Sequence, residues 1–114
     1  MKNISTMIFT CILMSFPVFS HADQLDQNIQ NILIADDKKY SFDFDDFDVN
    51  TLKVLLEAER QIKVDISEFI DTENMVRFKA KEINFLDYLQ KGADSLNLEV
   101  IQLGASRIML IPKK

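Results

Sequence analysis

The sequence predicts an α+β fold, two helices packed on a small mixed sheet, in the order β-α-β-β-α-β-β. Three observations predict it. Apolar and polar residues alternate in short stretches at 40–44, 62–66, 75–80, 98–103 and 107–112, the period of a half-buried strand. Two intervening stretches change to helical spacing. Polar or turn-forming residues, such as Gly104-Ala105-Ser106, separate the pieces.

The first strand, Tyr40 to Phe44, places Tyr40, Phe42 and Phe44 on one side and Ser41 and Asp43 on the other. Val49, Leu52, Leu55 and Leu56 then follow helical spacing, so a helix is predicted from Val49 to about Arg60. Asp48 stands just before it, where a carboxylate accepts from the free amides of the first turn and complements the helix dipole. Ile62 to Ile66 is the second strand. Ser67 to Asn74 is a polar connection, with Phe69 and Ile70 expected to tuck inward. Met75 to Ala80 is the third strand.

Asn84 is expected to cap the second helix, on which Phe85, Leu86, Leu89, Ala93 and Leu96 recur. Gly92 inside it costs roughly 1 kcal/mol against alanine, which points to close packing of helix on sheet. Asn97 ends the helix, since asparagine tolerates the left-handed conformation. Leu98 to Leu103 and Arg107 to Pro112 complete the sheet, and Pro112 marks the last as an edge strand.

The N-terminus carries a targeting pattern. Lys2 is followed by the uncharged apolar run Met7 to Phe19, and Ser20-His21-Ala22 puts small residues where a signal peptidase reads. Residues 1–22 therefore read as a secretory signal peptide cut before Asp23, and the expected location is the periplasm. A membrane span needs ~20 apolar residues, whereas this run is shorter and broken by Pro17. Phe9 and Thr10 do not fit a lipidation motif at Cys11. Residues 23–39 form an N-terminal arm. Its Leu25, Ile29, Ile32 and Leu33 share one helical face, so a short helix and an extended arm both remain open. A helix so short is marginal alone. The arm is expected to be weakly ordered and to help docking, and its deletion to leave the melting temperature almost unchanged.

Composition limits the chemistry. Cys11 and His21 leave with the signal, and there is no tryptophan. The mature chain holds no disulfide, no Ser-His-Asp triad and no usual zinc ligand set, so no enzyme, cofactor or metal is expected. A formal net charge of −5 argues against nucleic acid as a partner. The acidic run Tyr40 to Asn50 raises calcium. Asp46, Asp48, Asn50 and Glu57 occupy EF-hand positions, but the obligatory glycine is Thr51, and the following residues form an amphipathic helix. Strand and helix cap is the preferred reading, with the phenylalanines facing the core and Asp43 and Asp45 facing water.

From Ser41 to Pro112 the sequence resembles the secretin and TonB short N-terminal (STN) domain, most closely the version in type IV pilus secretins. Phe44-Asp45-Asp46-Phe47-Asp48-Val49 fits that family's F-x-D-x-D-[VIL] start to the first helix. Lys63-Val64-Asp65-Ile66, Met75-Val76-Arg77-Phe78, Ile83 to Leu89 and Ser106 to Pro112 fit its later motifs in order. Departures include Gln61 for a glycine, Lys53 for a leucine and Phe85 for a tryptophan. The resemblance implies residues 40–112 as an STN-like module for protein-protein interaction, expected here without further domains or barrel. It would dock on an envelope partner of a protein secretion or type IV pilus system, such as a secretin. The alternative is a signalling module contacting an anti-sigma-type regulator, as in TonB-dependent transducers. Open sheet edges are expected at Tyr40 to Phe44 and Arg107 to Ile111. Tyr40, Phe42, Phe44, Arg107, Met109 and Ile111 are the candidate partner-binding residues.

Overall fold

The computed structural model describes residues 25–35 and 38–113. The signal-peptide reading, residues 1–22, and the turn at 36–37 lie outside the described residues. The chain runs α1 (Gln27–Leu33), β1 (Tyr40–Phe47), α2 (Val49–Arg60), β2 (Lys63–Ile66), β3 (Val76–Ile83), α3 (Phe85–Ser95), β4 (Leu98–Gly104) and β5 (Arg107–Pro112). From β1 onward this is the α+β order the sequence predicts.

The strands sort into two sheets. A mixed sheet has the order β2-β5-β4, with β2 parallel and β4 antiparallel to β5. β1 and β3 pair separately as an antiparallel ribbon. α3 packs against β3 on one side and β4 on the other, and α2 packs against α3 and β2. The physical reason lies in α3. Phe85, Tyr88, Leu89, Gly92 and Ala93 are all buried, an apolar surface too wide for one sheet to cover. Phe85 and Tyr88 meet the aromatic face of the ribbon, with Phe42 4.6 Å and Tyr40 4.7 Å away between ring centroids.

Two bulges lengthen the ribbon beyond the sequence reading. Phe44 pairs with Phe78 but Phe47 pairs with Val76, so β1 carries one extra residue there. Asp45 and Asp46 both face water, and Phe47 returns to the core, fully buried against Phe78 at 4.5 Å. On β3 the extra residue falls between Ala80 and Ile83, where Glu82 adopts φ 56°. Its amide donates to the Ser41 hydroxyl oxygen at 3.2 Å.

The helix ends follow their caps. The Asn84 side chain accepts from the Asp87 amide at 2.8 Å, and Asn97 takes the left-handed conformation, φ 61°. Gln61 ends α2 at φ 59°, ψ 29°, where a side chain strains the backbone and glycine does not. Gln61→Gly should raise stability by about 0.5–1 kcal/mol, the relieved strain exceeding the added chain entropy. A urea titration checks this through a higher midpoint at unchanged slope.

Of the two alternatives for the arm, the short helix is the one observed, and its packing corrects the expectation that the arm is weakly ordered. Asp26 caps α1, accepting from the Ile29 amide at 3.1 Å. Leu25, Ile29 and Leu33 are buried in the common core, the last two completely. The Asp26 amide donates to Gln102 Oε1 at 2.9 Å, and Gln102 Nε2 returns a bond to Asp26 Oδ2 at 2.7 Å. Asn28 Nδ2 donates to the Ala105 carbonyl at 2.6 Å. α1 is therefore fastened to the β4–β5 hairpin and to α3. Packing supplies the stability that seven residues lack alone.

The ionisable groups predict a flat stability plateau. Asp26 is held below the usual carboxylate range by the Gln102 amide, Glu57 by the Val64 amide and Lys53, and Asp65 by Arg107. These contributions are present above the unfolded values near pH 4 and vanish as pH falls through the folded ones. Burial pushes the Tyr88 hydroxyl up, so its contribution is complete below about pH 10 and is lost as pH rises further. Residues 23–114 contain no histidine. The melting temperature should stay level from about pH 5.5 to 9 and drop on both sides, which a pH series of thermal melts measures.

Candidate docking site

The acidic run crosses from strand to helix without gathering its carboxylates. Asp48 Oδ1 accepts from the Thr51 amide and the Thr51 hydroxyl, both at 2.9 Å. Arg77, on the neighbouring strand, pairs with Asp43 at 3.1 Å and with Asp45. Among the described residues, no cluster of three or more histidine, cysteine, aspartate or glutamate side chains could hold a metal ion. Asp48→Ala should cost about 1 kcal/mol through the lost cap, whereas Asp46→Ala, at an exposed bulge position, should be nearly silent. Millimolar calcium should leave the melting temperature where it was. A rise of several degrees would restore the metal reading.

The predicted contact residues fall into two groups. Tyr40, Phe42 and Phe44 face inward, half-buried on α3 and on one another. Arg60 covers the Tyr40 end, lying 4.9 Å from the Phe85 ring centroid and donating to the Tyr40 hydroxyl oxygen at 2.9 Å. What β1 offers outward is its backbone. From Ser41 to Phe47 its outer edge pairs with no strand among the described residues.

Arg107, Met109 and Ile111 stand differently. β5 is the central strand of its sheet, bonded on both sides, so the expected open edge at Arg107 to Ile111 does not exist. Pro112 does not mark an edge, because it lies past Leu110, the last residue paired with β2. The three side chains belong to the outer face of the sheet. Arg107 Nε donates to Asp65 at 2.7 Å, Met109 lies between Asp65 and Ile101, and Ile111 lies opposite Glu99.

The true edge beside β5, strand β2, is blocked. Lys53 Nζ donates to the Val64 carbonyl at 2.8 Å, and Glu57 accepts from the Val64 amide at 2.9 Å. Two side chains of α2 thus occupy the groups that an incoming strand would need. This explains a lysine on the inward side of α2.

Two apolar features escaped the sequence reading. A groove of about 440 Å³ opens between β1 and α2, lined by Phe44, Asp48, Asn50, Thr51, Val54 and Leu55. Val54 is 58% exposed. It stands on α2 away from the stripe of Val49, Leu52 and Leu56, and that off-face valine was the available signal. Phe69, expected to tuck inward, is instead 79% exposed, while Ile70 is half-buried. Phe69 flanks a second groove of about 320 Å³ with Val49, Leu96, Leu98 and Pro112. The Ser67 hydroxyl accepts from the Phe69 amide at 3.1 Å and shapes the loop that holds the ring outward. No family model matches the chain, and no curated protein matches it in sequence.

Proposed function

We propose that the chain is an exported periplasmic protein whose domain is a protein-protein interaction module of the STN type, docking on a cell-envelope secretion or pilus complex. One observation carries the reading. The motif Phe44 to Val49, on which the resemblance rests, spans the end of β1, its bulge, the Asp48 cap and the first residue of α2. The later motifs of the resemblance fall in order on β2, on β3, at the start of α3 and on β5.

Further support comes from the surface. The ribbon leaves a strand edge open, and apolar side chains stand at two grooves, as docking modules require. No helix among the described residues is long and apolar enough to cross a membrane. Export rests on the pattern of residues 1–22. Catalysis is not part of the reading, since the mature chain supplies neither histidine nor cysteine.

The test is fractionation followed by cross-linking in the native periplasm. The mature protein should begin at Asp23, and cross-linked species should contain a secretion or pilus component. Recovery of an anti-sigma-type regulator would move the protein to signalling. Retention in the cytoplasm, or no envelope component in repeated captures, would overturn the proposal.

A further inference from the structure

We propose that the outer edge of β1 and the groove against α2 take up an extended segment of a partner protein in which apolar and basic residues alternate. The inference rests on the interaction-module reading above and names the site and the chemistry of its occupant. Four strand edges compete for such a role. β2 is blocked by Lys53 and Glu57. β3, which like β1 carries a bulge, exposes Lys79 and Lys81, and edge lysines discourage strand addition. The end of β4 is engaged by the start of α1 through Asp26 and Gln102. β1 differs from all three, because its own Phe44 lines an apolar groove shared with α2.

Strand addition makes a definite demand on the partner. Main-chain hydrogen bonds to β1 fix its register, and its side chains then alternate between the two faces of the ribbon. Inward residues meet the groove of Phe44, Val54 and Leu55 and must be apolar. Outward residues lie beside Asp43, Asp45 and Asp46, all exposed. Arg77 shares the first two of these carboxylates, and the Asp46 side chain has no hydrogen-bond or ion-pair partner among the described residues. Basic residues at the outward positions complement this edge. Acidic ones would be repelled by it and by the net charge of −5.

Fluorescence anisotropy with labelled synthetic peptides tests the proposal on the mature protein. The peptides have the length of β1, 8 residues, and alternate valine with lysine or valine with glutamate. Two further valine-lysine peptides carry N-methyl groups on one or the other alternate set of amides. The valine-lysine peptide should bind, with the valine-glutamate peptide about tenfold weaker or more. One N-methylated set should lose about tenfold and the other little, because only alternate amides face β1. Val54→Asp should weaken binding, and Asp45→Lys with Asp46→Lys should reverse the charge preference. These positions are exposed or stand at the groove mouth, so thermal melts should confirm that the variants remain folded.

Indifference to charge pattern, equal tolerance of both N-methylated sets, or full affinity in Val54→Asp would each overturn the site. So would sedimentation showing that the chain dimerises and that Val54→Asp abolishes the dimer, since the occupant would then be a second copy. Failure here leaves the envelope-module reading standing, because periplasmic capture tests it independently of these peptides.

Discussion

Deleting residues 25–35 should unfold the domain or lower its stability by about 5 kcal/mol or more. Leu25, Ile29 and Leu33 are buried at 6%, 0% and 0% exposure, and fully burying such side chains is worth roughly 1.5–3 kcal/mol each. The deletion also exposes the surfaces of α3 and the β4–β5 hairpin that they cover. Small domains hold only ~5–15 kcal/mol in all, so the loss takes much of the total. A single Leu33→Ala should cost about 2–5 kcal/mol through transfer and cavity effects. Circular dichroism melts of residues 23–114 with and without that segment, and of the Leu33→Ala variant, measure both. An unchanged melting temperature on truncation would return α1 to the status of a detachable arm.

Gly92→Leu should cost about 3 kcal/mol or more, despite the better helix propensity of leucine. A Cβ at Gly92 would already stand 2.9 Å from Leu52 Cδ1 and 3.1 Å from Phe47 Cζ. Leu52 and Phe47 are fully buried, so neither can swing into solvent. Overpacking a tight core typically costs ~1–3 kcal/mol for a few added atoms, and leucine adds more than the single methyl of alanine. Gly92→Ala sets the two terms against each other. Its helix gain is about 1 kcal/mol, so a net loss of ~0–2 kcal/mol is expected. Leu52→Ala opens space at the same contact, so the Gly92→Ala and Leu52→Ala pair should be non-additive by about 0.5–3 kcal/mol. Urea midpoints of the four proteins in that cycle provide the measurement. Strict additivity would show that the helix does not approach so closely.

The sequence was most informative where one residue decides a local structure. Asp48 and the spacing of Val49, Leu52 and Leu56 located α2 from its first residue to Arg60. Asn84 and Asn97 did the same for the ends of α3. Gly92 announced close packing, although its neighbours are Leu52 of α2 and Phe47 of β1 rather than a sheet face alone. Period-two reading failed at the bulges. One extra residue at Asp45-Asp46 and one at Lys81-Glu82 shift the alternation, so both strands read short, although Phe47 is buried as expected of the phenylalanines in the acidic run.

Strand order is a property of the assembled domain. β5 reads as an edge from Pro112, yet it is central because β2 and β4 both find it. The candidate docking surface was half legible. The aromatic face of β1 was visible, but its rings point inward, and the groove beside it is lined jointly by Phe44 of β1 and by Asn50, Thr51, Val54 and Leu55 of α2. The role of Lys53 and Glu57 at Val64 was hidden for the same reason, since it joins residues on different elements.

Site-specific photocross-linking in intact native cells probes the proposed docking surface. A photoreactive residue is placed at Val54, at the β1 groove, or at Leu103, exposed on the opposite sheet, and captured proteins are identified by mass spectrometry. Val54 is expected to capture an envelope component and Leu103 is not. Capture of that component from Leu103 with none from Val54 would contradict the proposal.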